Sequence, residues 1–136
     1  MTDLRQRRSI NVSGLDHGSV PIPTASRIGP FVASGGIRGV HPGTGQLSSE
    51  APEQSRQMFE NVAAVIAAAG GHPENILKVT IQIRSPDLRS CVNEGWGELF
   101  TDPASRPARQ VVIYSEMPSE TLVQCDFLAV IPSNGE

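Results

Sequence analysis

An arginine-rich stretch between the second predicted helix and the strand after it is the first place where this sequence could do chemistry. Arg106-Pro-Ala-Arg109 ends with an arginine at the start of that strand, and functional side chains are common at such element ends because a rigid scaffold aims them. Arginine offers a planar fork of donors that matches a carboxylate. The sequence therefore predicts that Arg109 binds a carboxylate, with an ordinary surface arginine as the equal alternative at this point.

A second candidate lies in the last predicted strand, where two polar side chains interrupt an apolar run. Gln124 and Asp126 alternate with Val123, Cys125 and Phe127, and successive residues of a strand point to opposite faces. The glutamine and the aspartate therefore share one face, and they need partners if that face is buried. A polar interface between subunits and a reaction site explain the pattern equally well.

Other groups capable of chemistry are poorly placed. His17, His41 and His72 lie far apart, with no cysteine or second histidine at ligand spacing, so we expect loop histidines and neither a metal nor another cofactor. Cys91 falls on the apolar stripe of a predicted helix, where a free cysteine packs as a small apolar side chain. The G-x-S-x-G motif of a serine nucleophile is missing from the sequence.

Length and charge limit the class of protein and of partner. The 136 residues leave room for one domain. A net charge of −3 and an aromatic content of 4% argue against nucleic acid or an anionic membrane as a partner. Two cysteines make no disulfide framework, no apolar run is as long as a membrane span, and residues 1–8 do not resemble a secretory signal. We therefore expect a cytoplasmic protein.

The elements that must position these residues are short strands and two helices. Apolar residues at helical spacing predict a helix from a cap at Ser49 to Gly70, and Ser85-Pro86 is typical of the start of a second helix. Strands are predicted over residues 9–12, 25–28, 31–34, 76–84, 108–114 and 121–131. The order predicts a single α+β domain over residues 14–136, a sheet with two helices packed on one face, after a polar segment over residues 1–13 that contains a short first strand.

Two of these strands carry more detailed predictions. Gly35-Gly36 is expected to end the strand over residues 31–34, or to let another group approach its backbone closely. In the strand over residues 76–84, alternation predicts one apolar and one polar face. The apolar face is formed by Leu77, Val79, Ile81 and Ile83, and the polar face by Lys78, Thr80, Gln82 and Arg84. That polar face must meet either water or another subunit.

Short motifs along the chain, taken in order, resemble the Rid family of YjgF-like, reactive intermediate (imine/enamine) deaminases. The resemblance covers roughly residues 20–131. It rests on Ser34-Gly35, Gln57-Met-Phe-Glu-Asn61, Ala67-Ala-Ala-Gly70, Lys78-Val-Thr80, Val92-Asn93 with Trp96, Arg106-Pro-Ala-Arg109 and the ending over residues 123–130. It implies a chorismate-mutase-like α+β fold that assembles as a homotrimer with ligand clefts between subunits.

The same resemblance implies a reaction and a set of site residues. Members of the well-studied branch hydrolyse small enamines or imines that carry a carboxylate, such as 2-aminoacrylate, to a 2-oxo acid and ammonia. By position, Arg109 matches the arginine that binds the substrate carboxylate, Ser34 and Gly35 match residues lining the cleft, and Asn93 matches an asparagine of the family motif.

Three positions depart from the pattern of that branch. Gly18-Ser-Val-Pro21 stands where the family has a tyrosine motif, Val111 where a cysteine is frequent, and Gln124 where a glutamate positions the attacking water. An amide orients a water molecule but does not take its proton at neutral pH. We expect Gln124 and Asp126 to place the water, with Asp126 or a histidine of the His17 loop as the base.

The departures leave a second function open. The alternative to an imine hydrolase is a protein of the same fold that binds a small carboxylate without turning it over, which the missing glutamate and tyrosine favour. The ribonuclease activity often attached to the family's name is the least favoured, because the chain has a net charge of −3 and few aromatic residues for stacking bases.

Overall fold

The predicted order of strands and helices is present in the computed structural model, which describes residues 6–118 and 120–132. The predicted elements are all found, with ends that differ by up to about three residues, and the structure adds a short strand at Ile37–Arg38. Within the described residues the strands are β1 (Arg8–Ile10), β2 (Ala25–Ile28), β3 (Phe31–Ser34), β4 (Ile37–Arg38), β5 (Ile76–Ile83), β6 (Ala108–Ile113) and β7 (Val123–Val130), and the helices are α1 (Ala51–Ala68) and α2 (Arg89–Leu99). Short 3₁₀ turns at Pro73–Asn75 and Pro86–Leu88 precede β5 and α2.

The strands form a single mixed sheet in the order β1-β2-β3-β7-β5-β6, and the short β4 also pairs with β7. β5 and β6 are parallel because α2 connects them, whereas the other neighbours are antiparallel. β7, the last strand in the chain, therefore lies at the centre of the sheet. β6 lies at one edge.

Helix α1 forms where the apolar spacing predicts it. Its buried stripe includes Met58, Val62 and Ile66, and its first turn contains a proline. Gly70 has a φ of +94°, and its N–H and that of Gly71 donate to the carbonyls of Ala67 and Ile66, both at 2.9 Å, which closes the helix as a Schellman motif. The prediction of Ser49 as the cap is wrong, because the N-cap residue is Glu50 and has no side-chain cap.

β5 departs from strict alternation at its first residues. Ile76 pairs with Ala129 and Lys78 with Leu128, so one extra residue is accommodated between them as a bulge. As a result Ile76 and Val79 are both buried, and Leu77 is 62% exposed. The prediction that Leu77 faces the core is therefore wrong, whereas Val79, Ile81 and Ile83 are buried as predicted.

β3 ends at Ser34, directly before Gly35-Gly36 as predicted, and β4 begins after the glycines at Ile37. Ala33 of β3 pairs with Leu128 of β7, and Ile37 of β4 pairs with Cys125. Four steps along the chain from Ala33 to Ile37 thus match three steps along β7, so one extra residue is accommodated between β3 and β4 as a second bulge. Bulges of this kind bend a strand and redirect its side chains. We call residues 34–36 the β3–β4 bulge.

Both helices pack on one face of the sheet, and this confirms the predicted α+β arrangement. Val123, Cys125 and Phe127 are at most 1% exposed and belong to the same apolar core as the buried stripes of α1 and α2. We call this side of the sheet the inner face and the side that carries Gln124 and Asp126 the outer face. None of the helices in the described part of the chain is long and apolar enough to cross a membrane.

Candidate active site in two halves

The first half of the candidate site lies at the β6 edge of the sheet, where three side chains meet. Arg109 is the second residue of β6, and its Nη2 donates to Oδ1 of Asn93 on α2 at 2.7 Å. The guanidinium carbon lies 5.1 Å from the centre of the Trp96 ring, within the range of a cation–π contact. We call Arg109, Asn93 and Trp96 the edge cluster. It brings together two residues predicted from the sequence, Arg109 and Asn93.

Aromatic packing holds the edge cluster in place. The Trp96 ring lies between Phe59 of α1, at a centroid distance of 6.4 Å and an angle of 74°, and Phe100, at 4.6 Å and 60°. Both phenylalanines are buried. Gly95 lets α2 approach α1, since a Cβ at this position would lie 2.6 Å from Cδ2 of Phe59. Arg109 therefore rests on a surface that has little freedom to move.

The electrostatics of Arg109 favour an anionic ligand. Partial burial, and secondarily the charge of Arg89, lower the pKa of the guanidinium, which nevertheless stays protonated at neutral pH. Within residues 6–118 and 120–132, Arg109 forms no ion pair. One of its donors is bound to Asn93, so a fork remains for a carboxylate.

The second half of the candidate site lies at the β3–β4 bulge. Oγ of Ser34 accepts a hydrogen bond from the Phe127 N–H at 2.9 Å and donates to the Gly35 carbonyl at 2.9 Å. The Gly35 N–H is bound to the Thr24 carbonyl, also at 2.9 Å. Ser34 therefore joins β3 to β7 where the regular ladder is interrupted. One lone pair of its hydroxyl, and one of the Gly35 carbonyl, remain available to a ligand that donates.

Asp126 lies beside this bulge, because it directly precedes Phe127 on β7. It pairs with Thr80 of β5 and is half-buried on the outer face. Burial raises the pKa of its carboxyl group, and the charge of Lys78 acts in the opposite direction with a smaller effect. A carboxylate whose pKa is raised toward neutrality is better suited to exchange protons near pH 7.

The Gln124 side chain is hydrogen-bonded to another side chain on the outer face. Its Nε2 donates to Oε1 of Gln82, the residue opposite it on β5. As predicted, Gln124 and Asp126 share one face of β7, away from the buried Val123, Cys125 and Phe127. Gln82 is a partner that the sequence analysis missed, and the alternation of β5 was the signal that could have indicated it.

The loop before β2 brings His17 next to the same bulge. A Cβ on Gly35 would lie 3.8 Å from Nε2 of His17, and this nitrogen is buried without a hydrogen-bond partner in the described part of the chain. Buried polar atoms without partners are uncommon in folded proteins. We call Ser34, Gly35, Asp126 and His17 the bulge cluster. It contains both residues proposed from the sequence as a base.

The two clusters lie apart within one chain and on different sides of the sheet. Arg109 is in register with Val79, and Val79 with Phe127, so two strand spacings, or roughly 10 Å, separate β6 from β7. Arg109 contacts α2 on the inner face, whereas Asp126 points to the outer face. A single chain therefore does not bring Arg109 and Asn93 together with Ser34, Gly35, Gln124 and Asp126.

Other reactive residues lie outside both clusters. Full burial, and next the nearby Asp126, raise the pKa of the Cys125 thiol, so this cysteine is protonated and unreactive. Arg106 is exposed but donates from Nε to the Phe100 carbonyl at 2.9 Å. Among the described residues, no group of three or more histidine, cysteine, aspartate or glutamate side chains is arranged to hold a metal ion.

Trp96 is a site residue whose contact the sequence analysis missed. It lies on the apolar stripe of α2, and this explains its packing but not its contact with Arg109. Asn93 stands three positions before it, and residues at this spacing share a helix face. That spacing was the available signal, since it places Asn93 and Trp96 side by side.

Comparison with known proteins matches nearly the whole domain. The family model described as endoribonuclease L-PSP matches residues 21–131. A RutC family protein of Aquifex aeolicus is 36% identical over 110 residues, which are 81% of this chain and 88% of the relative. A 2-iminobutanoate/2-iminopropanoate deaminase of Salmonella typhimurium is 31% identical over 104 residues, which are 76% and 81% of the two chains.

Solved structures give the same result for the fold. A protein of unknown function of the conserved Rid family, YyfA from Yersinia pestis, matches with a TM-score of 0.85 and 26% identity over 93% of this chain and all of the other. TdcF of E. coli, solved with bound serine, matches with a TM-score of 0.84 and 25% identity over 92% and 99% of the two chains. These matches confirm the chorismate-mutase-like α+β fold.

Proposed function

We propose that this chain, which belongs to the endoribonuclease L-PSP family and within it to the Rid (YjgF-like) proteins, hydrolyses small imines or enamines that carry a carboxylate. The products are a 2-oxo acid and ammonia. The observation that carries the proposal is Arg109, a cation that has no acidic partner among the described residues and is held by Asn93 and Trp96. The relative named a 2-iminobutanoate/2-iminopropanoate deaminase and the bound serine in TdcF, a small carboxylate, support the proposed substrate class.

In this proposal the edge cluster binds the carboxylate of the substrate. The fork of Arg109 forms two parallel charge-assisted hydrogen bonds with it, and this fixes the orientation of the substrate as well as its position. Asn93 holds the guanidinium in place by its hydrogen bond, and the Trp96 ring packs against it. Because Asn93 and Trp96 fix the guanidinium through their own contacts, little ordering is required when the substrate binds.

The bulge cluster binds the reacting end. A protonated imine nitrogen donates to Oγ of Ser34 and to the Gly35 carbonyl, which keep lone pairs for it. Water then adds to the imine carbon and loses a proton to the Asp126 carboxylate, which forms a carbinolamine. Asp126 returns this proton to the nitrogen, the C–N bond breaks, and ammonia leaves as the C=O bond forms and the hydroxyl group gives its proton to the Asp126 carboxylate. Asp126 acts first as base and then as acid.

Gln124 has a positioning role in this reaction. Its amide is tied to Gln82, so its remaining oxygen accepts a hydrogen bond from the attacking water and directs it. The glutamine at this position also favours the second candidate function, a protein that binds a small carboxylate without turnover. The reason is that an amide cannot replace the glutamate as a base. A measured rate of imine loss separates the two functions.

The two halves of the site meet if a second copy of the chain brings its edge cluster to the bulge cluster of the first. The outer face exposes large apolar side chains that a monomer would leave in water: Phe31 (64%), Leu77 (62%), Leu128 (51%) and Val130 (38%). We therefore propose a homotrimer in which each site is shared by two neighbouring subunits. A solution mass near that of one chain, 14.5 kDa, would contradict it.

A mixing experiment tests the shared site and the reaction together. Arg109→Ala removes the edge cluster's charge and Asp126→Asn removes the bulge cluster's base, so each variant alone should lose most of its imine-hydrolase activity. Co-expressed in equal amounts, the two variants form mixed trimers in which about one site in four has both residues intact. We expect roughly a quarter of the wild-type rate to return.

The control is the double variant expressed alone, which has no intact site and should stay inactive. Native mass spectrometry checks that mixed trimers have formed. Mixed trimers that regain no activity would show that the site is not shared between subunits. A wild-type protein that does not accelerate the loss of 2-aminoacrylate or 2-iminopropanoate would exclude the enzyme and leave the binding protein.

A further inference from the structure

A second arginine lies beside the edge cluster. Arg89 is the first residue of α2, and Asn93 and Trp96 follow it at four and seven positions. Residues at this spacing form one stripe of a helix, with about 5–6 Å between Cβ atoms one turn apart. Since Asn93 and Trp96 both contact Arg109, the stripe that carries Arg89 is the one that faces Arg109.

The two arginines form a pair of like charges that no acidic side chain balances in the part of the chain that the structure describes. Within residues 6–118 and 120–132, neither Arg89 nor Arg109 forms an ion pair, whereas Arg56 on α1 pairs with Glu53 and Glu60. Like charges at close range oppose each other unless an anion lies between or beside them. The arrangement therefore favours a ligand with more negative charge than a single carboxylate carries.

From this geometry we propose that Arg89 binds a second carboxylate, and that the preferred substrates are 2-imino dicarboxylates. These are the imines formed by dehydrogenation of four- and five-carbon acidic amino acids, namely 2-iminosuccinate and 2-iminoglutarate. The inference rests on the proposed function, since it names the substrate class of the same site. Arg109 binds the carboxylate next to the imine carbon, and Arg89, one helical turn beyond Asn93, binds the carboxylate at the far end.

Arg89 is suited to discriminate between substrates because it is exposed at the cluster's rim and is not needed to hold Arg109. A 2-imino acid with an alkyl side chain leaves this arginine in water and binds through Arg109 alone. A dicarboxylate binds both arginines and relieves their repulsion. Loss of Arg89 should therefore lower the affinity for dicarboxylates far more than the affinity for monocarboxylates.

The test compares two substrates in four proteins. 2-Iminopropanoate and 2-iminosuccinate are generated in situ by amino-acid oxidases acting on alanine and aspartate with catalase present, and their loss is followed by competition with semicarbazide. Wild type should show the higher kcat/KM for 2-iminosuccinate. In Arg89→Ala the ratio of the two kcat/KM values should fall about tenfold or more, and Arg89→Lys should restore part of it. Arg8→Ala, which removes a charge from distant β1, should leave the ratio unchanged.

A binding arm keeps this inference separate from the proposed reaction. Calorimetric titration of 2-oxoglutarate and 2-oxobutyrate into wild type and Arg89→Ala measures the preference for a second carboxylate without any turnover. If no imine is hydrolysed but 2-oxoglutarate binds more tightly and depends on Arg89, the proposed reaction fails and the dicarboxylate site stands. Equal losses for both classes of ligand in Arg89→Ala, or a wild-type preference for the monocarboxylates, would overturn the dicarboxylate site.

Discussion

The edge cluster and the bulge cluster are built by different physical means. In the edge cluster, side chains from a helix and an edge strand meet: a guanidinium is fixed by an amide and by an aromatic ring that two buried phenylalanines support. In the bulge cluster, an extra residue in a central strand turns a serine hydroxyl and a carbonyl toward each other beside a half-buried carboxylate.

The difference between the clusters matches the two ends of an imino acid. The edge cluster offers a cation and donors, which suit a carboxylate, whereas the bulge cluster offers acceptors and a group that takes a proton, which suit a protonated imine and a water molecule. Neither cluster is complete alone. Under the proposed function, subunit assembly is therefore part of catalysis and not only of stability.

Among substitutions in the two clusters, removal of the proposed base is expected to lower the activity most. Asp126→Asn should lower kcat by about 10²–10⁴-fold, the usual contribution of a well-placed general base, and should leave the affinity for 2-oxobutyrate nearly unchanged because the edge cluster is intact. Steady-state kinetics and calorimetric titration measure the two quantities. Asp102→Asn, at an exposed turn whose acceptor an asparagine preserves, is the matched control.

The pH dependence gives a second measurement on the same variant. Burial raises the pKa of the Asp126 carboxyl group, and a base must be ionised to act, so the rate of the wild type should fall as the pH drops through this raised value. Asp126→Asn should lose this acid limb. The variant should also fold normally, because a raised pKa means that burial disfavours the ionised form that the asparagine removes. An acid limb that persists would show that Asp126 is not the base.

Arg109→Ala, which removes the guanidinium of the edge cluster, should have the next largest effect, a loss of ligand affinity. Loss of charge-assisted hydrogen bonds should weaken the binding of 2-oxobutyrate by roughly 1.5–3 kcal/mol, as measured by calorimetric titration. Arg109→Lys should not restore it, since a point charge lacks the planar fork. Arg106→Ala should weaken binding less, because the Arg106 side chain bonds the Phe100 carbonyl. Equal affinities in wild type, Arg109→Ala and Arg106→Ala would remove Arg109 from the site.

The parts of the molecule that the sequence predicts well depend on local patterns. Helix α1 and the orientation of Gln124 and Asp126 follow from periodicity within a few residues, and the structure contains both. The family motifs, although each is short, named Asn93 and Arg109 separately as candidate site residues, and the hydrogen bond between them across 16 positions is a finding of the structure.

The parts that the sequence does not predict depend on partners far along the chain. The bulges at Leu77 and at Gly35 are set by how β5, β3 and β4 align with β7, and local alternation carries no information about that register. The approach of His17 to Gly35 depends on the path of a loop. The contact of Trp96 with Arg109 depends on how α2 packs over the β6 edge.

Alanine substitutions at two glycines of α2 are expected to have the smallest effects, and they test the packing that supports the edge cluster. A methyl group on Gly95 would lie 2.6 Å from Cδ2 of Phe59, whereas one on Gly97 would meet nothing within 4 Å. Gly95→Ala should therefore lower the free energy of unfolding by about 1–3 kcal/mol through overpacking, and the displaced Phe59 should loosen Trp96. Gly97→Ala should raise it by up to about 1 kcal/mol, since alanine favours the helix. Urea denaturation measures both values, and a Gly95→Ala protein as stable as Gly97→Ala would show that the aromatic support of Arg109 is not rigid.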